Sequence, residues 1–280
     1  MMSNRPNNPT VSQIREVGQP VSITGRTNSE HWVADLYLRS ISPYLTKVLL
    51  KLGFSANAVT YLMILSGISI SGSLLIPGIV GLGLAFFFSQ LQMLWDCCDG
   101  EIARWRETQS PMGVFLDRVG HYLTEGLIPI AFGFRIMKDH DYLNPLLGAL
   151  LAVLVLLNKA FNDSVHVARA YAGLNKIQDS KNAGAARNTL LDGVRKLFDF
   201  IPIQRAFHSV EMTIIILLFH AYTNLLSVGL LVCLFVTLGH LVMIINSNKL
   251  IYEIILTHFP PPKFLFVFAR SPHSTRKNRY

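Results

Sequence analysis

Charge is what this chain has least of. Asp, Glu, Lys and Arg make up 15% of it and hydrophobic residues 51%, whereas roughly a quarter of a soluble domain is charged. The deficit is concentrated. No Lys, Arg, Asp or Glu occurs from Leu52 to Trp95, and none from Met212 to Asn248. Runs of that length exclude water-facing helices, and at about 20 apolar residues per crossing each has room for two membrane spans. Cysteine is also scarce. Cys97, Cys98 and Cys233 have neither the count of a disulfide framework nor the spacing of a CxxC zinc pair, so they read as small packing residues. The first thirty residues lack the apolar core of a signal peptide and are rich in Asn, Ser and Pro. Residues 1–30 are therefore expected to be a disordered polar segment. No internal or inverted repeat is present, which argues against a transporter.

What is present divides into helices. Pro77-Gly78 splits the first uncharged run and Tyr222-Thr223-Asn224 the second, while Gly113 to Ile136 and Asn144 to Ala170 add two further apolar stretches. The expected fold class is all-α: an integral membrane bundle of six transmembrane helices over residues 54–248, including a cytoplasmic loop at 173–207. Within that loop, Asn188 to Pro202 has the pattern of an amphipathic helix. Residues 31–53 read as an N-terminal interfacial helix. Trp32, Leu36, Ile41, Tyr44, Leu45, Val48 and Leu52 recur at near-helical spacing among Arg39, Lys47 and Lys51, and Pro43 predicts a bend. Residues 249–280 read as a basic cytoplasmic tail. Of the 25 Lys and Arg, only Arg135 and Lys138 fall in the loops after odd-numbered spans. The positive-inside rule then places both termini and the Asp96–Asp117 stretch on the cytoplasmic side of the cell membrane. A net charge of +8 suits anionic headgroups. The dispersal of that charge along membrane flanks argues against a nucleic-acid partner.

Between spans two and three the chain reads DCCDGEIARWRETQSPMGVFLDRVGHY. Asp96, Asp99, Gly100 and Ala103 share one helix face, and Asp117 and His121 stand one turn apart on the next helix. The gap from Trp105 to Met112 lets the two helices return against each other, so that three carboxylates and an imidazole converge. Left bare, such a cluster is electrostatically costly; a divalent cation resolves it, and hard oxygen ligands favour Mg²⁺ or Mn²⁺. Gly100, Ala103 and Gly113 leave room for a ligand's ring or phosphates near the backbone. The arrangement suits phosphoryl chemistry at a metal pair about 3.5–4 Å apart. An acidic loop solvated beside the membrane has the same spacing and remains the alternative.

The pattern Asp96-x2-Asp99-Gly100-x2-Ala103-Arg104-x8-Gly113-x3-Asp117-x3 resembles the signature of the CDP-alcohol phosphotransferase family, with seven of eight fixed positions matched and every gap kept. SANAVTY, from Ser55 to Tyr61, is similar to the element that opens the family's first span, although Ala56 replaces a proline. The resemblance implies transfer of a substituted phosphate from a CDP-alcohol, usually CDP-diacylglycerol, to an acceptor alcohol with release of CMP. It implies Asp96, Asp99, Asp117 and residue 121 as metal ligands for Mg²⁺ or Mn²⁺. Asn57, Thr60, Gly100, Ala103, Arg104 and Gly113 are implied at the nucleotide, membrane lipids as surroundings and a homodimer as a partner state. His121 departs from the pattern, since the family has an aspartate there that ligates metal and takes the acceptor's proton. An imidazole is competent as base or ligand but brings no negative charge. Glu125, one turn on, is placed to restore it. Three outcomes stay open: an active enzyme using His121, a one-metal or altered-acceptor enzyme, and an inactive nucleotide- or lipid-binding member. A cation-coupled transporter is the alternative from another class.

Lys159, Asn162, Asp163, His166 and Arg169 form a polar stripe toward the end of span four. It reads either as a helix emerging into water or as a basic wall for an anionic acceptor, with Lys159 and Arg169 donating to phosphate and Glu125 nearby. His208 and Glu211 stand where they can join the same cavity.

Overall fold

A computed structural model of the chain describes residues 5, 6, 8–24, 31–139, 141–171, 173, 203–222 and 224–246. Among them there is no strand. The helices are α1 (Val11–Gly18), α2 (Val21–Thr24), α3 (Arg39–Lys51), α4 (Ala56–Leu74), α5 (Gly78–Arg106), α6 (Pro111–Arg135), α7 (Leu143–Tyr171), α8 (Ser209–Phe219) and α9 (Leu225–Asn246). A π-helical stretch, Ala34–Leu38, runs directly into α3, and a 3₁₀ turn, Ile203–Phe207, precedes α8. The amphipathic stretch expected at 188–202 and the tail at 249–280 lie outside the described residues.

Local signals set the boundaries. Ser55 caps α4 by accepting the Ala58 N–H at 3.2 Å, Pro77 opens α5, and Ser110 accepts the Gly113 N–H ahead of Pro111 in the first turn of α6. Glu107 closes α5 in the left-handed conformation at φ 57°. The α5–α6 connection is thus shorter than the expected gap, because the signature arginines remain helical to Arg106. At the opposite end, the Arg135 guanidinium donates to the carbonyls of Leu74, Ile76 and Gly78, tying α6 to the turn between α4 and α5.

Three helices are long and apolar enough to cross a membrane: Ala56–Leu74, Gly78–Arg106 and Leu143–Ala168. Helix α6 has the length but carries Asp117, Arg118, Glu125 and Arg135. Helix α8 has 11 residues, about 16 Å at 1.5 Å per residue, against the roughly 30 Å of a hydrocarbon core. Ile70, Leu74, Leu82, Ile128, Phe132, Leu151, Val155 and Ile216 pack into one apolar cluster that joins α4 to α8. Close approach of α4 and α6 depends on two glycines. A Cβ on Gly67 would sit 1.9 Å from Thr124 Oγ1, and one on Gly120 would sit 2.8 Å from Met63 Cε. Gly67→Leu is expected to separate these helices, read as loss of the monodisperse peak in size-exclusion chromatography; an unchanged peak would contradict this contact.

The N-terminal segment corrects one expectation. Among the described residues, Arg5, α1 and Gln19 pack onto the end of α5, so this part is not a disordered tail. Thr10 and Gln13 form a reciprocal capping box on α1. Ile14 is fully buried against Leu49, Leu50, Val59, Cys98, Ile102 and Trp105. Arg5 Nη1 donates to the carbonyls of Arg104 and Trp105 at 2.9 and 3.0 Å in the last turn of α5. The sequence signal for α1 is short, three apolar residues (Val11, Ile14 and Val17) at three-residue spacing within eight positions.

Helix α3 buries Leu49 and Leu50 but leaves other apolar residues outward. Ile41, Tyr44, Val48 and Leu52 are exposed, while Ser42 and Thr46 are buried. The two hydroxyls donate to Glu101, Ser42 to Oε1 at 2.5 Å and Thr46 to Oε2 at 2.6 Å, and Gln19 Nε2 donates to Oε1 at 2.8 Å. Pro43 lies inside an uninterrupted α3 rather than at a break. The Arg39 carbonyl, which a proline four residues on cannot pair, accepts Gln19 Nε2 at 2.7 Å. The irregularity is the π stretch upstream. Glu101→Ala leaves three donors without their acceptor, at about 1–3 kcal/mol for each that stays buried and unpaired. A lower thermal midpoint in detergent and faster tryptic cleavage at Arg15 are expected; unchanged values would show that Glu101 does not anchor the segment.

Candidate active site

Helices α5 and α6 bring the acidic stretch together from both sides. His121 Nε2 lies 3.1 Å from Asp96 Oδ1 and 3.5 Å from Asp117 Oδ1. One ligand atom from each of these three residues falls within 4.8 Å of the others. The side chains of His121 and Asp96 are 15% and 20% exposed, and that of Asp117 is 44% exposed, so the cluster opens on the Asp117 side. Two carboxylate oxygens and an imidazole nitrogen in this arrangement fit a divalent cation.

Asp99 is not in that group. It is buried, and its Oδ2 accepts the Thr60 hydroxyl at 2.7 Å. Thr60 is itself only 3% exposed, and its hydroxyl supports that acid. Asn57 does face open space. With Ser55, Ala56, Arg106 and Thr108 it lines a cavity of about 130 Å³. Gly113 lies beside Asn57, since a Cβ there would meet Asn57 Oδ1 at 3.5 Å. Arg106 was not singled out from sequence; its guanidinium is held by the carbonyls of Phe54 at 2.8 Å and Leu50 at 3.3 Å. The space over Gly100 is filled by the Arg104 guanidinium, whose nitrogens would stand 3.0 Å from a Cβ. Arg104 Nε donates to the Gly18 carbonyl at 2.6 Å, so this arginine is directed toward the N-terminal segment. The Ala103 carbonyl accepts the Thr108 N–H at 3.0 Å, which closes α5 and gives Ala103 a backbone role.

Behind His121 lies a second ring of ionisable groups. Glu125 is fully buried; Lys159 Nζ reaches its Oε2 at 2.8 Å, and Oε1 stands 3.3 Å from His208 Nδ1 and 3.5 Å from His121 Nδ1. Lys159 and Glu125 thus form an ion pair with each other. Asp163 likewise pairs with Arg118 and accepts the Tyr122 hydroxyl at 2.7 Å, turning the polar stripe of α7 inward to α6. The side chain of Arg169 lies outside the described residues. His208 and Glu211 belong to the same group of ionisable side chains, together with His31, which helical spacing does not reach because it lies ninety residues before His121. His31 Nδ1 is 3.0 Å from Glu211 Oε2. Its ring is stacked on that of His121 at 5.9 Å and 19° and lies 4.5 Å from that of His208.

No curated protein matches the chain. The family model described as CDP-alcohol phosphatidyltransferase matches residues 54–246, from the residue before the Ser55 cap to the end of α9. That span includes Asp96, Asp99, Asp117 and His121 and more than half of the sequence, and the chain belongs to the CDP-alcohol phosphatidyltransferase family.

Proposed function

We propose that this protein transfers a substituted phosphate group from a CDP-alcohol, with CDP-diacylglycerol as donor, to an acceptor alcohol and releases CMP, in phospholipid or polyol-phosphate synthesis. The observation that carries it is the convergence of Asp96, Asp117 and His121 within 4.8 Å between α6 and α5, the latter long and apolar enough to cross a membrane. A lipid donor is supported by Met112, Val114 and Phe115, exposed apolar residues on the first turns of α6, directly beside Asp117. The bundle is read as six spans, with α3 lying in the interface on its exposed apolar face and the acidic cluster on the cytoplasmic side.

Asp96, Asp117 and His121 would hold the cation, and Asp99, fixed by Thr60, adds negative charge one turn along α5. A divalent cation there neutralises the donor's pyrophosphate and makes the attacked phosphorus more electrophilic. The cavity beside Asn57 and Arg106 receives the nucleotide end of the donor. Asp117, the most open member of the cluster, takes the proton of the acceptor hydroxyl. The acceptor oxygen bonds to phosphorus, the phosphorus–oxygen bond to CMP breaks, and CMP leaves with the electron pair. His121 is sheltered from water, with Nε2 at 3.1 Å from Asp96 and Nδ1 at 3.5 Å from Glu125, which suits a ligand better than a mobile base.

The test is CMP release by purified protein in detergent, with Mn²⁺, labelled CDP-diacylglycerol and a panel of free alcohols and polyol phosphates. At least one acceptor is expected to support turnover, faster than with a CDP-alcohol lacking acyl chains. Retained CDP binding without CMP release from any donor would make this a binding protein instead.

A further inference from the structure

We propose that Glu125, clamped by Lys159 and His208, positions His121 as a nitrogen ligand beside Asp96 and Asp117, and that this mixed site selects Mn²⁺ or Co²⁺ over Mg²⁺. The inference rests on the reading that these three residues hold the cation. It adds a positioning residue and a metal specificity that a wholly carboxylate site does not have.

Each nitrogen of the His121 ring faces a carboxylate, Nε2 within hydrogen-bond geometry and Nδ1 at ion-pair distance. Nε2 faces Asp96 Oδ1 at 3.1 Å and Asp117 Oδ1 at 3.5 Å. Nδ1 faces Glu125 Oε1 at 3.5 Å. A carboxylate on the far nitrogen of a metal-binding histidine holds the proton there, leaves the lone pair on the near nitrogen and fixes the ring's direction. Glu125 is suited to that task because it is itself immobilised, with Lys159 Nζ at 2.8 Å and His208 Nδ1 at 3.3 Å. The ring's face is covered as well. His31 stacks on it at 5.9 Å and is tied to Glu211 at 3.0 Å. Gly120, the preceding residue, is pressed against Met63, so α6 has little freedom to turn and carry the imidazole away.

Ligand chemistry then decides the ion. Mg²⁺ demands oxygen donors in near-ideal octahedral geometry and dehydrates reluctantly. Imidazole suits the first-row transition ions, and affinity for a given site rises from Mn²⁺ to Co²⁺. One nitrogen among two carboxylates therefore lowers the site's preference for Mg²⁺ while keeping the charge that a divalent ion needs.

The experiment uses the full chain in detergent. Mn²⁺, Co²⁺ and Mg²⁺ are titrated separately by calorimetry, and electron spin-echo spectroscopy of the Mn²⁺-loaded protein reports any directly bound ¹⁴N. Mn²⁺ and Co²⁺ are expected to bind at least about ten-fold tighter than Mg²⁺, with a ¹⁴N coupling. His121→Asp is expected to abolish the coupling and bring the Mn²⁺ to Mg²⁺ ratio toward one. The charge-balanced pair Glu125→Gln with Lys159→Met is expected to weaken Mn²⁺ binding by about 10–100-fold. A merely structural role for Glu125 would change thermal stability and leave that affinity unmoved. Bound Mn²⁺ without ¹⁴N coupling, or equal affinity for Mg²⁺, overturns the proposal. Turnover with an Mg²⁺-preferring site would sink this inference and spare the transferase reading. Nitrogen-coupled Mn²⁺ without CMP release from any CDP-alcohol would do the reverse.

Discussion

Asp117→Asn is expected to lower CMP release by about two to three orders of magnitude, the scale on which loss of one well-placed charged or hydrogen-bonding group acts, and to leave the protein folded. The substitution keeps the side chain's shape and removes both its charge and its basicity. Asp117 is the cluster's most exposed member, so an amide there stays solvated and adds no burial penalty. Thermal unfolding beside the activity assay separates the two effects. Activity within a few-fold of the parent would show that Asp117 neither helps to hold the cation nor takes the acceptor's proton.

The second large effect falls on stability. Lys159→Met removes the closest cation from a glutamate that is completely buried. Breaking one half of a buried ion pair leaves an uncompensated charge, a loss of about 3–5 kcal/mol, so a clear drop in thermal midpoint is expected. Glu125→Gln combined with Lys159→Met is expected to recover most of it, because neither charge is then stranded. A single variant as stable as the parent would mean that Glu125 is solvated or that His208 and His121 alone sustain it.

These two residues mark where sequence reading succeeds and where it stops. Asp96, Asp117 and His121 were legible because Asp117 and His121 lie one turn apart on a single helix, where spacing alone decides which side chains share a face, and because a short turn brings α5, with Asp96, back against α6. The main helices were legible for the same reason: charge vanishes over stretches as long as a bilayer is thick. Lys159 was placed on the correct stripe of α7, yet its partner is on α6, and helical periodicity says nothing about which neighbour a stripe will face. The same holds for His31 with Glu211, 180 residues apart, and for Gln19 with Glu101, 82 apart. Thr60 and Arg104 show a subtler limit. Both belong to recognisable motifs, but one supports Asp99 and the other reaches Gly18, contacts set by the packing of α4 and of the N-terminal segment.

The N-terminal segment also changes what the family match covers. The matched region begins at residue 54, whereas Arg5, Ile14, Gln19 and His31 all contact the helices that carry the site. Residues upstream of the family region thus contribute to the walls around His121 and to the anchorage of α5.

The most direct measurement is the cation dependence of CMP release. Protein freed of metal with EDTA is given labelled CDP-diacylglycerol and an acceptor that supports turnover, and CMP is followed before and after Mn²⁺ is added. The account predicts no release until Mn²⁺ is present, and none when Asp96→Asn is tested in the same way. Equal release in EDTA and in Mn²⁺ would contradict it, because Asp96, Asp117 and His121 would then be gathered for something other than a divalent ion.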